Sequence, residues 1–292
     1  VCMNRHELTV GAHARFSETM LSSLWASIYD LFVAKRNHRN RNYSWSIISS
    51  YYSAEHSINT LLIMKAGPML FRRRWEFDIY EGSRLWSSPL SPLSTLRSHE
   101  AKIYFLKGEL SSIRSRNMER HKGTITSWYN DLCAVLGKGR LRLLGESLDF
   151  LYRARLIQNY EGIMIAHSKR EDIYIHGKPL LETIKEISRR AIKISENVVL
   201  EVNKVLSKLF KDMIYNLVKK PNIGYKGIAL GHVEHLIEEY EQFKEMLNYE
   251  KVAKVLEPIT KLVHDLSDVK AKLMASATPE VRSTLTTIAE NF

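Results

Sequence analysis

Three arginines running into a tryptophan, Arg72-Arg73-Arg74-Trp75, are the first residues of this chain whose types point to a chemistry. A guanidinium grips a phosphate with paired donors and an indole stacks on a base, so the cluster suits single-stranded nucleic acid. Arg39 and Arg41 belong to a second basic run, Lys35 to Arg41, and further clusters span Arg114 to Lys122 and Lys138 to Arg142. The competing reading of each is a solvated loop. His232, His235 and Glu239 fall at spacings that let them share a helical face. The zinc-protease pattern, two His four apart with Glu beside the first, is absent. Two polar histidines at a helix N-terminus is the favoured account, and no metal is assigned. Gly137-Lys-Gly-Arg140 lacks Walker spacing and its Ser or Thr. No Ser-His-Asp or Cys-His set follows from spacing, Cys133 has no histidine beside it, and no cofactor is implied.

The elements that must position these residues read as helices. Met20, Leu21, Leu24, Ile28, Leu31 and Phe32 give a three-and-four spacing over 16–33. Lys35 to Asn42 reads as a turn. A second helix starts at Tyr43 and closes at Gly67-Pro68. A long loop at about 68–98 follows, rich in Pro and Ser. Helices are expected from Ser98 or His99 toward Arg116, from Thr126 to Leu136, from about Arg142 to Ile165 and from Leu180 to Met213 or beyond. Gly137-Lys-Gly139 reads as a break and 173–179 as a loop. Lys219 to Gly224 reads as the domain boundary, which gives domains at 1–220 and 221–292. Beyond it, one helix runs through Leu230, Val233, Ile237 and Tyr240, and another through Val252 to Leu273, bent near Pro258. Thr278-Pro279 is a helix start. No segment alternates long enough for a strand. The fold class is all-α, and the apolar stripe within 225–292 must pack on the body or on a second protomer.

Three stretches add a resemblance. Tyr43 to Leu62 carries Tyr51, Tyr52, Ala54 and His56 before Leu61, Leu62 and Gly67. His99-Glu-Ala-Lys-Ile-Tyr-Phe105 follows the loop. Leu148-Asp-Phe-Leu-Tyr-Arg-Ala-Arg-Leu-Ile-Gln-Asn-Tyr160 comes third. In this order they resemble the HEPN superfamily, in its prokaryotic branch, over about residues 15–212. The loop at 68–98 is longer than a minimal member needs, and 221–292 lie outside the match. The resemblance implies an up-and-down helical bundle that forms a homodimer and binds or acts on RNA, in a toxin–antitoxin or defence setting, with a nucleotidyltransferase as a protein partner. Active relatives set an Arg four to six residues before a His. The Arg holds the scissile phosphate and the His helps the ribose 2′-OH attack it, without metal. Here Arg155 takes the Arg position and Tyr160 the His position. A phenol, with a pKa of about 10, is a poor base at neutral pH. His56 is then the best candidate base, provided that packing brings it near Arg155. The plainer readings are an Arg155 ion pair with Asp149, a Tyr160 that packs between helices, and a structural, hydrogen-bonded His56. The alternative function is a non-catalytic helical dimerisation or interaction protein.

Composition bounds these readings. The chain has 292 residues, 45% of them hydrophobic and 26% charged, and too many Leu, Ile, Val and aromatics for disorder. Two cysteines, Cys2 and Cys133, exclude a disulfide framework and read as free thiols. No apolar run reaches the roughly 18 residues of a membrane span. Residues 1–10, with Arg5, His6 and Glu7, lack an apolar signal core, so the expected location is the cytoplasm. Residues 1–220 carry 35 Lys and Arg against 21 Asp and Glu, whereas 221–292 carry 8 against 11. A basic body favours a polyanion as partner.

Overall fold

Apolar residues spaced for helices build an all-α structure. The computed structural model describes residues 5–70, 91–158, 174–175, 178–246 and 251–292. Its helices are α1 (Arg5–Arg39), α2 (Tyr43–Leu70), α3 (His99–Lys107), α4 (Met118–Leu136), α5 (Lys138–Leu156), α6 (Leu180–Val218), α7 (Ile223–Met246), α8 (Ala253–Ala275) and α9 (Pro279–Glu290). Short 3-10 turns occupy Pro92–Leu96 and Leu110–Ser112. Among the described residues, no helix is long and apolar enough to cross a membrane.

Several expected boundaries move, each for a local reason. The basic run does not end α1, which continues to Arg39. Arg36 and Arg39 sit in its last turn, where cations suit the exposed carbonyls. Lys35 is also held there by Glu196 at 3.0 Å. Only Asn40 to Asn42 turn the chain. α2 passes Gly67-Pro68 to Leu70. α4 starts at Met118, ahead of Thr126, and α5 starts at Lys138, so the break is Gly137 alone. Tyr174 and Ile175 pair antiparallel with Pro179 and Lys178, a two-residue ladder where a loop was expected and too short to show alternation. Ser98 caps α3 by accepting from the Ala101 N–H at 3.1 Å. Thr278 caps α9 with Pro279 in its first turn.

The chain forms two compact units, and Lys219 to Gly224 does not divide them. The first unit comprises 1–25, 59–94 and 203–292; the second comprises 26–58 and 95–202. In the first unit α6 docks on α8 by one polar face. Asn203 donates to the Val255 carbonyl at 2.8 Å, Ser207 to the Pro258 carbonyl at 3.0 Å, and Lys211 to Asp265 at 2.7 Å. The expected stripe of α8 is buried from Val255 to Leu266. Trp25 stacks on Phe243 with ring centres 4.7 Å apart. Residues 221–292 are therefore covered by parts of 1–25 and 203–220.

His232 corrects a sequence reading. It lies inside α7, fully buried, and not at a helix start. Its Nε2 is 2.9 Å from His13 Nδ1, with Phe16, Phe210 and Phe292 around the ring. Burial holds His13 down to about 3, and burial followed by the neighbouring histidines holds His232 well below the usual range. Both rings are neutral in the fold.

Two measurements test this unit. At Gly227 a Cβ would lie 2.6 Å from Ile288, so α9 reaches α7 only because that side chain is missing. Overpacking costs about 1–3 kcal/mol and helix propensity returns about 1 kcal/mol, so Gly227→Ala should lower Tm by several degrees. An unchanged Tm would show that α9 can shift away. The unfolded chain takes up protons below pH 6.5 that the fold refuses, until about pH 3 at His13 and with a shift in the same direction at His232. Stability is complete above that upper value and falls with pH through the window, by up to about 1.4 kcal/mol per pH unit for each histidine. Urea unfolding at pH 7 and pH 5 should show a smaller loss in His13→Gln than in the parent; equal losses would disprove the neutral pair.

Candidate functional site

The second unit gathers the residues that could do chemistry, and the close packing of its helices places them. On α2, Ile47, Tyr51, Ala54 and Ile58 recur every three or four residues and are all buried. Between them lie buried serines, short enough to let α1 approach. Ser46 donates to the Ala34 carbonyl at 2.9 Å and Ser53 to the Ser27 carbonyl at 2.7 Å, which fixes α2 against α1. At Gly145 a Cβ would lie 3.0 Å from the Lys107 backbone nitrogen, so only glycine lets α5 reach α3.

Glu55 is the polar centre. It is buried and takes Lys102 at 2.7 Å and His99 at 2.8 Å. Burial alone would push its carboxyl up, but the hydrogen bonds and charges of His99 and Lys102 outweigh it and bring it down to about 2. Lys102 is 4% exposed, so an ammonium is kept inside the unit by this carboxylate. The Tyr51 hydroxyl meets the same His99 nitrogen. Burial first, then the charge and hydrogen bond of Glu55, make Tyr51 much less acidic than a free phenol. Tyr152 of α5 closes the group, with its ring centre 5.3 Å from His99 and 5.9 Å from Tyr51.

Arg155, one turn beyond Tyr152, leads out of this cluster. Its Nη2 donates to the Tyr52 hydroxyl at 2.9 Å, and its guanidinium carbon stands 5.0 Å from the ring centres of both Tyr51 and Tyr52. Its Nε is buried with no hydrogen-bond partner among the described residues. The ion pair with Asp149 does not form. Asp149 instead pairs with Lys107 at 2.5 Å and Arg153 at 2.8 Å, because its helix face turns toward α3. His56 follows Tyr52 by one turn on α2, with ring centres 6.1 Å apart. Its Nδ1 lies 3.0 Å from Asp30 Oδ2 on α1. In the neutral tautomer that gives its Nδ1–H to this carboxylate, the lone pair is on Nε2. His56 is 35% exposed, so solvent reaches it.

Packing thus brings His56 and Arg155 together through Tyr52. Tyr160 and the Arg72–Trp75 cluster lie outside the described residues. Arg39 and Arg41 are exposed at the α1–α2 turn. Arg114, Arg116, Lys122 and Lys138 are also exposed. The second unit holds 23 Lys and Arg against 15 Asp and Glu, a balance of +8. Sequence reasoning missed Asp30 and the Glu55–Lys102 pair. Asp30 is one of three acids on α1, with Glu7 and Glu18, and nothing in its spacing sets it apart. Glu55 and Lys102 are 47 residues apart, so no local spacing announces them. Only the Tyr52–His56 spacing of four residues was a usable signal. Among the described residues, no three His, Cys, Asp or Glu side chains gather as metal ligands, and His235 pairs with Glu239 at 3.6 Å. Compared with protein-family models, with curated proteins and with solved structures, the chain matches none.

Glu55→Gln should be among the most damaging single changes in this unit. It leaves the Lys102 ammonium buried without its counter-charge, which costs about 3 kcal/mol or more. The carboxyl is depressed in the fold, so its contribution is complete above its ordinary value of 4.5 and is lost as pH falls toward 2. Chemical unfolding should show the parent and the variant converging over that acid range. Equal stability at pH 7 would refute the role given to the pair.

Proposed function

We propose that the second unit binds RNA and acts on it, as a HEPN-like helical protein in a toxin–antitoxin or defence setting. The observation that carries this reading is the part-exposed Arg155 side chain, its guanidinium standing against Tyr52 one turn before the His56–Asp30 pair. A phosphodiester oxygen is the acceptor such a donor suits, and the positive balance of the unit favours a polyanion. Asp30 orients the imidazole of His56, as an acid orients a catalytic histidine elsewhere. His56 Nε2 would take the 2′-OH proton while the 2′-oxygen attacks phosphorus. Arg155 would balance the charge that builds on the phosphoryl oxygens. The leaving 5′-oxygen would be protonated from solvent, giving a 2′,3′-cyclic phosphate and a 5′-hydroxyl. His56 thereby replaces the histidine that is absent at Tyr160. The expected oligomer is a homodimer.

A second reading is favoured by one feature of the same site. Arg155 already stands beside two adjacent tyrosine rings, whose centres are 5.3 Å apart, an arrangement that also suits a purely structural arginine in a non-catalytic interaction protein. Labelled single-stranded RNA incubated with the protein in EDTA separates the two. Cleavage to cyclic-phosphate ends, lost by at least a hundredfold in Arg155→Ala and in His56→Ala with Tm preserved, is the expected result. Intact RNA at all protein concentrations would favour the interaction protein.

A further inference from the structure

We propose that the α1–α2 turn and the outer face of α2 form a track for single-stranded RNA that leads to His56 and Arg155. The inference rests on the RNA reading above and names the surface that would deliver the strand. Trp45, in the first turn of α2, is 59% exposed, an unusual state for an indole. Tyr52 and His56 follow it by 7 and 11 residues, close to two and three helical turns, so all three lie on one face of α2. The helix rise puts His56 about 16 Å from Trp45 along the axis, a span that a few nucleotides bridge.

Charge collects at the Trp45 end. Arg36, Arg39 and Arg41 are exposed at the close of α1 and in the turn, and Lys185 and Arg189 are exposed on α6. His38 joins the two groups. Its Nδ1 is 2.8 Å from Ser188 Oγ, and its basicity is lowered first by burial and then by the charges of Arg189 and Lys185. Five exposed cations from two elements therefore gather about the close of α1, next in the chain to the start of α2 that carries Trp45.

The backbone adds an independent sign. Arg41 holds a φ of 59°, and it is alone among the described non-glycine residues in that region. Asn and Gly adopt this conformation more readily, and Asn stands on both sides at 40 and 42. A guanidinium kept at a strained position, where its neighbours' residue type would be easier, points to a task for the charge. The chemistry favours nucleic acid over a lipid surface. A membrane needs several exposed apolar side chains, whereas the residues that precede Trp45 in the chain include Asn37, Asn40, Asn42 and Ser44. One flat ring among guanidiniums and amides suits a base stacked beside its phosphates.

The test uses the full chain and a fluorescein-labelled 12-nucleotide RNA of mixed sequence, read by anisotropy across a salt series. Trp45→Ala should weaken binding roughly tenfold. Arg41→Gly should weaken binding while Tm stays level or rises, because the strain is relieved. Arg39→Ala with Arg41→Gly should make the salt dependence shallower by roughly 0.7 for each charge removed. Parent-like affinity and salt slope in Trp45→Ala and in the double variant would overturn the track. If Arg155→Ala alone lost binding at the same time, the RNA reading would survive without it. Loss of binding in the track variants, with no cleavage by the parent, would keep the track and remove the catalytic reading. Sedimentation with phosphatidylserine vesicles, lost in these variants while RNA never binds, would overturn the proposal in favour of an anionic membrane.

Discussion

Keeping the Lys102 ammonium out of water is the constraint on which the second unit depends. An unpaired buried charge costs several kcal/mol, so Glu55 must stay within hydrogen-bond reach of it. That requirement ties α2 to α3 at one register. Replacing such a pair by apolar side chains is often neutral in stability, so its value lies in what it excludes. A slide of either helix by one turn would leave both charges buried and apart. The serine contacts of α2 with α1 and the glycine contact of α5 with α3 then leave little freedom in the remaining directions.

The candidate site inherits its geometry from this centre. Tyr51 and His99 surround Glu55, Tyr152 covers them, and Arg155 emerges one turn later against Tyr52. Polarity is graded along the path, from a fully buried carboxylate to a half-exposed imidazole. The inner residues hold position, and the outer ones meet solvent. Arg155 gives one donor to the Tyr52 hydroxyl, and its contact with the two rings leaves its charge in place. The same contact suits a binding role or a structural one, which is why chemistry on RNA, and not stability alone, separates the two readings.

The first unit buries its polar groups by another rule. Its deepest pair, His13 and His232, is neutral, and neutrality is what an interior lined by Phe16, Phe210 and Phe292 permits. Its α6–α8 contact uses an amide and a hydroxyl against backbone carbonyls, with the one ion pair, Lys211–Asp265, at the more exposed end. Acid weakens this unit through uptake by histidine at mild pH. It weakens the Glu55 centre only at lower pH, where a carboxylate must be protonated.

The amino-acid sequence by itself determined the helical class. Three-and-four spacing, the Thr278-Pro279 start and the Ser98 cap are local, and local signals survive folding. Residue type singled out the basic turn at Arg39 and Arg41, and the resemblance pointed to Arg155 and His56. The sequence misjudged ends that packing decides. Lys35 to Arg39 read as a turn from polarity, but its tertiary partners on α6 make it helix. His232 read as a polar end because one sequence cannot show three phenylalanines closing around it. The compact units cut across chain order, joining 1–25 to 203–292, a grouping that no local turn or charge change announces. Asp30 with His56, Tyr52 with Arg155 and Glu55 with Lys102 were decided by tertiary structure alone. Each pair joins different helices 26 to 103 residues apart, a distance over which residue spacing carries no geometric information.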